Sequence, residues 1–275
     1  MNSATQLKAL IRNLAKQKNL DAQILLRNYM LERLLERISL SEYKRNFILK
    51  GGMLVAAMVG LDVRSTIDMD ATIKGWPVTA ETVEKMFRSI LSVDIDDGVE
   101  MTIKYIEDIR EESDYAGVRV SIETVFDKIV QTLKVDVTTG EHITPKEVNY
   151  SFQLMFEERN INVMAYNLET VLAEKLETVI ARSTANSRMR DFYDIYILSK
   201  SQRDNIDNDL LKEAIKATTN KRGTTGLLSE AENIIGQIEK SDIMKDMWKR
   251  YQMKFNYASG IEWDEVIIIV KQYFA

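Results

Sequence analysis

The 275-residue sequence has no cysteine, a single histidine, His142, and only two prolines. Without cysteine, the chain forms no disulfide bond, holds no thiolate-ligated metal and has no cysteine nucleophile. A single histidine also excludes a histidine-rich metal site. Because proline interrupts helices, its scarcity, together with only 11 glycines, favours long helices over a β-sandwich with many turns.

Long hydrophobic runs are missing as well. No apolar stretch reaches the roughly 18 residues of a membrane-spanning helix, and the N-terminal stretch MNSATQLKAL lacks the apolar core of a secretory signal. Apolar residues make up 45% of the chain and charged residues 29%, which is typical of a folded soluble protein. The sequence therefore predicts a cytoplasmic, globular protein that does not bind a membrane.

Positive charge is concentrated in two places, although the net charge of the chain is −5. Residues 1–50 carry ten Lys or Arg and four Asp or Glu, a local excess of +6. A second basic group comprises Arg182, Arg188, Arg190, Lys200 and Arg203. Either group could contact a phosphate backbone or simply form a solvated helix face, and the charge alone does not decide between the two.

The hydrophobic pattern changes near residue 166. Before that point, apolar spacing predicts two N-terminal helices, which Ser3 and Asp21 could cap, followed by short strands mixed with helices. From residue 168 onward, the pattern is almost wholly helical. We predict an α/β (α+β) domain with a small mixed sheet over 1–166 and a helical domain over 167–275 that contributes to the active-site cleft. Strands are predicted at 47–49, 66–73, 101–106, 118–124 and 133–137, with 152–156 and 162–166 completing or flanking the sheet.

The most informative stretch, FILKGGMLVAAMVGLDVRSTIDMD, runs from Phe47 to Asp70. A predicted strand leads through Gly51 and Gly52 into a helix, where backbone N–H groups can approach an anion closely. Asp68 and Asp70 follow at spacing two, which places both carboxylates on one face of the next strand. Two such carboxylates repel each other, and Mg²⁺ with a substrate phosphate would relieve that repulsion.

A third acidic residue, Asp136, is flanked by valines in a further predicted strand. Three carboxylates on adjacent strands could hold two metal ions about 3.5–4 Å apart, which clamp a phosphoryl group during transfer. Asp136 could be either a metal ligand or the base that accepts a proton from the attacking hydroxyl. Each motif alone could also be structural, but the ordered combination of the glycine turn and the acidic strands favours phosphoryl chemistry.

In the helical half, three charged residues share faces with core residues. Lys175 falls within the apolar stripe of its helix, so it should snorkel, pair with an acid or meet a ligand. Asp191 and Asp194 share a face with Ile195 and Leu198 on the next helix. They could form a structural ion pair with Lys175 or Arg190, or orient Lys175 toward a nucleotide, and these two roles are compatible.

The ordered motifs GG, RSTIDMD, DVTTG, EKL and RMRDFYDIYIL resemble the nucleotidyltransferase fold, and specifically the AbiEii-like abortive-infection toxins of type IV toxin–antitoxin pairs. The resemblance covers 47–198. It implies an Mg²⁺-dependent nucleotidyltransferase that uses an NTP, with GTP or CTP as candidates, and a role in antiviral defense. It also implies a separately encoded antitoxin that acts without a stable complex, and an RNA acceptor, the tRNA 3′ end.

The resemblance assigns roles to individual residues. Gly51 and Gly52 match the phosphate-binding turn, and Arg64, Ser65, Asp68 and Asp70 match the first acidic motif. The later motifs contribute Asp136, Gly140, Lys175, Arg188, Asp191 and Asp194. Many members of the wider superfamily have serine where this chain has Gly52, so backbone amides or Ser65 would have to replace that hydroxyl.

Functions other than nucleotide transfer to RNA are also compatible with part of this chemistry. The same transfer could be directed to a small molecule, such as an aminoglycoside, or to a protein side chain. A non-catalytic regulator that only binds nucleotide is a different class, and the presence of all three strand carboxylates argues against it. Arg182, Arg188, Arg190 and Arg203 are the candidate RNA contacts.

Overall fold

The computed structural model describes residues 3–109 and 117–274, and the chain divides into two units. The first unit comprises residues 1–141 and 147–166, and the second comprises 142–146 and 167–275. The fold is mixed α and β, with the strands in the first unit and helices dominating the second.

A seven-stranded mixed sheet, counted over the described residues, organises the first unit in the order β3-β4-β5-β2-β1-β7-β6. The central strands β1, β2 and β5 combine an antiparallel pair, β1 with β2, and a parallel pair, β2 with β5. The strands are β1 (Phe47–Lys50), β2 (Met69–Ile73), β3 (Glu100–Ile109), β4 (Gly117–Phe126), β5 (Ile129–Thr138), β6 (Val148–Gln153) and β7 (Asn160–Ala165).

Four helices belong to the described part of the first unit: α1 (Ala4–Lys18), α2 (Ala22–Leu40), α3 (Gly51–Val59) and α4 (Ala80–Leu91). As the sequence predicts, Ser3 and Asp21 cap the first two helices, because their side chains accept hydrogen bonds from the backbone N–H groups of Gln6 and Gln23. Among these described helices and those of the second unit, none has the length and hydropathy that spanning a membrane requires.

The two faces of the central strands differ because side chains alternate along a strand. Met69, Ala71 and Ile73 of β2 are buried, as are Val135 and Val137 of β5, and together they form part of the apolar core. The intervening residues therefore point to the opposite face of the sheet. That face carries the polar residues of the acidic motifs.

The second unit contains six further helices within the described residues: α5 (Leu168–Arg182), α6 (Met189–Ser201), α7 (Asn208–Lys221), α8 (Ala231–Lys240), α9 (Asp242–Lys254) and α10 (Trp263–Lys271). Aromatic side chains form much of its core. Phe192, Trp248 and Trp263 are buried, and the ring centroids of the two tryptophans lie 5.9 Å apart. These residues form part of the core of the second unit.

Several boundaries differ from the sequence prediction. The second strand begins at Met69 instead of Thr66, so Asp68 precedes it and Asp70 lies within it. The predicted strand at 152–156 is instead β6, which ends at Gln153. These differences reflect backbone pairing, which local hydrophobic patterns do not specify.

Candidate active site

A row of four charged residues crosses four adjacent strands of the first unit. Lys50 of β1 is the register partner of Asp70 in β2, Asp70 is the partner of Asp136 in β5, and Asp136 is the partner of Arg119 in β4. Register partners on neighbouring strands project from the same face, and the strands are about 5 Å apart. The row therefore has the order cation, anion, anion, cation, with the two carboxylates side by side at its centre.

Asp70 lies directly against the glycine turn. Gly51 has φ +65°, and a Cβ atom placed on it would lie 2.1 Å from Oδ2 of Asp70. The backbone N–H of Gly52 donates a hydrogen bond to the Asp70 carboxylate. Only glycine at position 51 therefore combines this left-handed backbone with so close an approach of the carboxylate. The N-terminus of α3 faces the carboxylate of Asp70.

Arg64 and Thr66 lie beside Gly52. The Arg64 side chain is almost fully buried, and a Cβ on Gly52 would be 3.0 Å from its Nη2 and 2.9 Å from Oγ1 of Thr66. Arg64 also donates to the carbonyl oxygen of Ser65, which is itself buried. A side chain at position 52 would therefore require Thr66 or Arg64 to shift. The hydroxyl next to the turn belongs to Thr66, which the sequence analysis did not select.

A polar cluster at one end of the row also escaped the sequence analysis. Glu141 pairs with Lys50 and accepts hydrogen bonds from Thr72, Thr138 and Tyr166, with 2.9 Å between Tyr166 Oη and Glu141 Oε2. The Lys50 ammonium also lies 5.9 Å from the centre of the Tyr166 ring. Although burial opposes it, Lys50 holds the pKa of Glu141 below its ordinary value. The cluster thereby places a cation next to Asp70.

At the other end of the row, Arg119 and Asp136 form a bidentate ion pair. Arg119 Nε and Nη2 each lie 2.7 Å from one of the two carboxylate oxygens of Asp136. Both side chains are partly exposed, at 31% and 20%. The pair raises the pKa of Arg119 above its ordinary value, so the guanidinium stays charged. For Asp136 to take a proton or bind a metal ion, as predicted, it must either use the remaining lone pairs of its two oxygens or release Arg119.

The charged forms of the two remaining carboxylates, Asp68 just before β2 and Asp70 within it, are disfavoured by their surroundings. Burial, followed by the neighbouring charge of Asp136, raises the pKa of Asp68. Burial also raises the pKa of Asp70; Asp136 and Asp68 add to this, and Lys50 opposes it. A divalent cation would remove this repulsion, and Mg²⁺ binds proteins through one or two carboxylates together with substrate phosphates. Within residues 3–109 and 117–274, no three acidic or histidine side chains converge as a metal site.

In the second unit, Lys175 of α5 pairs with both acidic residues of α6. Its Nζ atom lies 2.9 Å from Asp191 Oδ1 and 2.7 Å from Asp194 Oδ2. Asp194 is fully buried, and the side chains of Lys175 and Asp191 are 13% and 17% exposed. The sequence left open whether Asp191 and Asp194 pair with Lys175 or with Arg190, and the structure shows the ion pairs with Lys175. Arg190 instead lies 5.6 Å above the ring of Phe255.

The structure separates the basic residues that the sequence grouped together. Arg188 and Arg190 stand at the start of α6, and Arg203 follows its end, at the far side of a 13-residue helix about 20 Å long. Arg203 lines a surface cavity of about 630 Å³ together with Lys200 and Lys212.

Three of the ten basic residues in 1–50 form ion pairs within the first unit. Arg37 is buried and pairs with Asp97, with 2.8 Å between Nη2 and Oδ1. Arg33 is also buried, and it pairs with Glu157 at 3.0 Å. Together with Lys50, these residues bind carboxylates of the protein itself, so neither a solvated face nor a phosphate-binding face describes them. The sole histidine, His142, is exposed.

Two solved structures with similar folds come from Helicobacter pylori. One of them is described as a nucleotidyltransferase and is 14% identical to this chain. Its TM-score is 0.51, and the match covers 93% of this chain and 96% of the other. JHP933 from Helicobacter pylori is also 14% identical, with a TM-score of 0.52 over 93% of each chain. At this identity, these similarities establish the fold. No curated protein matches the sequence.

A family model describes most of the chain. The model named nucleotidyl transferase AbiEii toxin, type IV TA system, matches residues 33–267, which include the charge row, the glycine turn and the Lys175 ion pairs. The chain therefore belongs to the AbiEii family of nucleotidyltransferase toxins from type IV toxin–antitoxin systems.

Proposed function

We propose that the protein transfers a nucleoside monophosphate from an NTP to an acceptor hydroxyl. In this reaction, the acceptor oxygen forms a bond to the α-phosphorus, and the bond from that phosphorus to the pyrophosphate oxygen breaks. The hydroxyl proton passes to a carboxylate of the site or to water. The observation that carries the proposal is the position of Asp70, which lies against the Gly51 turn and next to Asp136 in the charge row.

We propose that Asp68 and Asp70 hold Mg²⁺. Their raised pKa values and their position on the polar face of the sheet support a cation there. Bound Mg²⁺ would stabilise the negative charge that develops on the transferring phosphoryl group. Lys50, fixed by Glu141 and Tyr166, orients Asp70 from the opposite side and limits the repulsion among the carboxylates.

The phosphates of the NTP would bind at the glycine turn. The backbone of Gly51 and Gly52 opens the N-terminus of α3, which favours an anion. Arg64 is buried beneath this turn, so it supports the backbone and adds positive charge from below. In the second unit, Asp191 and Asp194 fix the ammonium of Lys175, for which we keep the predicted role of neutralising phosphate charge.

The acceptor is proposed to be RNA, with the tRNA 3′ end as the specific site. Family membership supports a toxin, and nucleotide addition to tRNA would stop translation. Exposed Arg188, Arg190 and Arg203 supply positive charge for a phosphate backbone. We also propose that a separately encoded antitoxin acts without forming a stable complex with this protein.

The test is transfer of label from each of the four α-labelled NTPs to total RNA by purified protein, with Mg²⁺ or with a chelator. We expect labelling of RNA of tRNA size with one preferred NTP, and loss of labelling with the chelator. Asp70→Asn should abolish labelling. Asp108→Asn makes the same change on exposed strand β3 and should retain it. Labelling of small molecules or proteins instead of RNA would contradict the proposed acceptor.

A further inference from the structure

The ion pair between Arg119 and Asp136 changes what the charge row can bind. Both oxygens of Asp136 accept hydrogen bonds from one guanidinium, each over 2.7 Å. This fork-to-fork geometry is among the strongest that a carboxylate makes in a protein. Asp136 therefore already has a fixed cation, while its neighbour Asp70 is bonded by the backbone N–H of Gly52 and faces Lys50 only across the strands.

A second metal ion would have to compete with this guanidinium. An ion shared by Asp70 and Asp136 would displace Arg119 or lie beside its positive charge. Arg119 binds Asp136 through Nε and Nη2, which leaves Nη1 directed elsewhere. A guanidinium can bond a carboxylate and a phosphate oxygen at the same time because its five N–H groups point in different directions.

We infer that Arg119 is the second positive charge of this site and takes the place of a second metal ion. The protein then binds one divalent cation, at Asp68 and Asp70, and Asp136 serves as the counter-ion that positions Arg119. The remaining N–H groups of Arg119 would bond an oxygen of the substrate phosphates. This inference rests on the proposed function, because it presupposes the cation at Asp68 and Asp70.

The experiment counts Mn²⁺ bound to the purified protein by the loss of the free-ion signal in electron paramagnetic resonance. The parent should bind one Mn²⁺ per chain. Arg119→Gln frees Asp136 and should create a second site or tighten binding at least tenfold. Arg119→Gln combined with Asp136→Asn should return to one ion. Arg88→Gln, the same change on an exposed helix, is the matched control and should behave as the parent does.

Two results would overturn the inference: two Mn²⁺ ions in the parent, or one ion with unchanged affinity in a folded Arg119→Gln protein. The parent measurement decides the stoichiometry even where the variant does not fold. If Asp70 is not part of the metal site, Asp70→Asn will bind Mn²⁺ as the parent does. This result distinguishes failure of the proposed metal site from failure of the inference about Arg119. Circular dichroism of each variant establishes that it is folded.

Discussion

The two units arrange carboxylates and cations in opposite ways. In the second unit, one cation, Lys175, bonds two carboxylates, and the fully buried Asp194 is among them. In the first unit, two carboxylates, Asp70 and Asp136, lie side by side, and their cations stand at the ends of the row. The first arrangement has its positive charge at the centre, and the second has its two negative charges there.

This difference separates stability from function. A cation between two anions contributes favourable charge pairing to the folded state, so removing it leaves buried charge without a partner. Two adjacent anions destabilise the folded state, and they persist where a ligand cation can join them. The comparison therefore predicts that the same kind of substitution has opposite consequences in the two units.

The largest expected effect is that of Asp70→Asn on nucleotide transfer. Loss of one metal ligand removes several kcal/mol of transition-state stabilisation, which corresponds to about a thousandfold or greater loss of kcat/KM. The thermal midpoint of the metal-free protein should stay the same or rise, because one of the repelling charges is gone. Steady-state kinetics and a melting curve measure both. A variant that keeps full activity would remove Asp70 from the metal site.

The second prediction concerns Lys175→Met. Judged only from the apolar stripe of its helix, Lys175→Met should not destabilise the protein, because methionine keeps the aliphatic part of the lysine side chain and is easily buried. The ion pairs reverse this expectation, since Asp191 and the buried Asp194 would lose their shared cation at a cost of about 3–5 kcal/mol. Urea unfolding of the parent and the variant measures the difference. An unchanged midpoint would mean that the acids find other partners, and the comparison between the units would fail.

Glu32 is a buried carboxylate of the first unit that lies outside the charge row, so it tests the effect of burial on stability separately. This residue of α2 is buried and accepts a hydrogen bond from the backbone N–H of Met155. Burial, only partly offset by that bond and by Arg33, raises its pKa to about 8. The folded state therefore holds a proton that the unfolded state has released between about pH 4.5 and 8, so the free energy of unfolding falls as the pH rises through this range.

Glu32→Gln should remove that part of the pH dependence, on the order of a few kcal/mol, because glutamine is neutral at every pH in the range. Chemical unfolding at pH 5 and pH 8 measures it. Glu100→Gln, on exposed β3, should leave the slope of the parent. An equal slope in parent and Glu32→Gln would show that Glu32 is charged throughout.

The smallest expected effect concerns RNA. Since Arg203 stands at the other end of α6 from Arg188 and Arg190, substitution of Arg203 tests the surface of the 630 Å³ cavity separately. Arg203→Ala should lower the salt slope of RNA binding by about one unit if it contacts a phosphate. Arg88→Ala is the control. An unchanged slope for Arg203, with a changed slope for Arg190→Ala, would place the RNA at the other end of the helix.

Much of the candidate site can be read from the sequence because its motifs are local. The glycine turn, the spacing of Asp68 and Asp70 and the strand around Asp136 are all visible in short segments, and the structure places Asp70 and Asp136 on adjacent strands. The roles of these residues in catalysis stay predictions. Lys175 is likewise conspicuous, because a charge within an apolar stripe demands a partner.

The partners of Asp136 and Lys50 were not visible in the sequence. Arg119 is 17 residues from Asp136, and Glu141 is 91 residues from Lys50, so no local pattern links them. The one available signal was the presence of Arg119 inside an alternating predicted strand. Because strand register decides which charges become neighbours, these pairs appear only once the sheet is assembled.

The sequence by itself determined the fold class, the family and the acidic motifs, because periodicity, glycine placement and residue spacing act within one element. The tertiary structure alone decided the charge balance of the site. It assigned Arg119 to Asp136, Glu141 to Lys50 and Lys175 to two aspartates, and it separated Arg203 from Arg188. The physical reason is that electrostatic energy depends on distances of a few ångströms, which strand register and helix packing set between residues far apart in the chain.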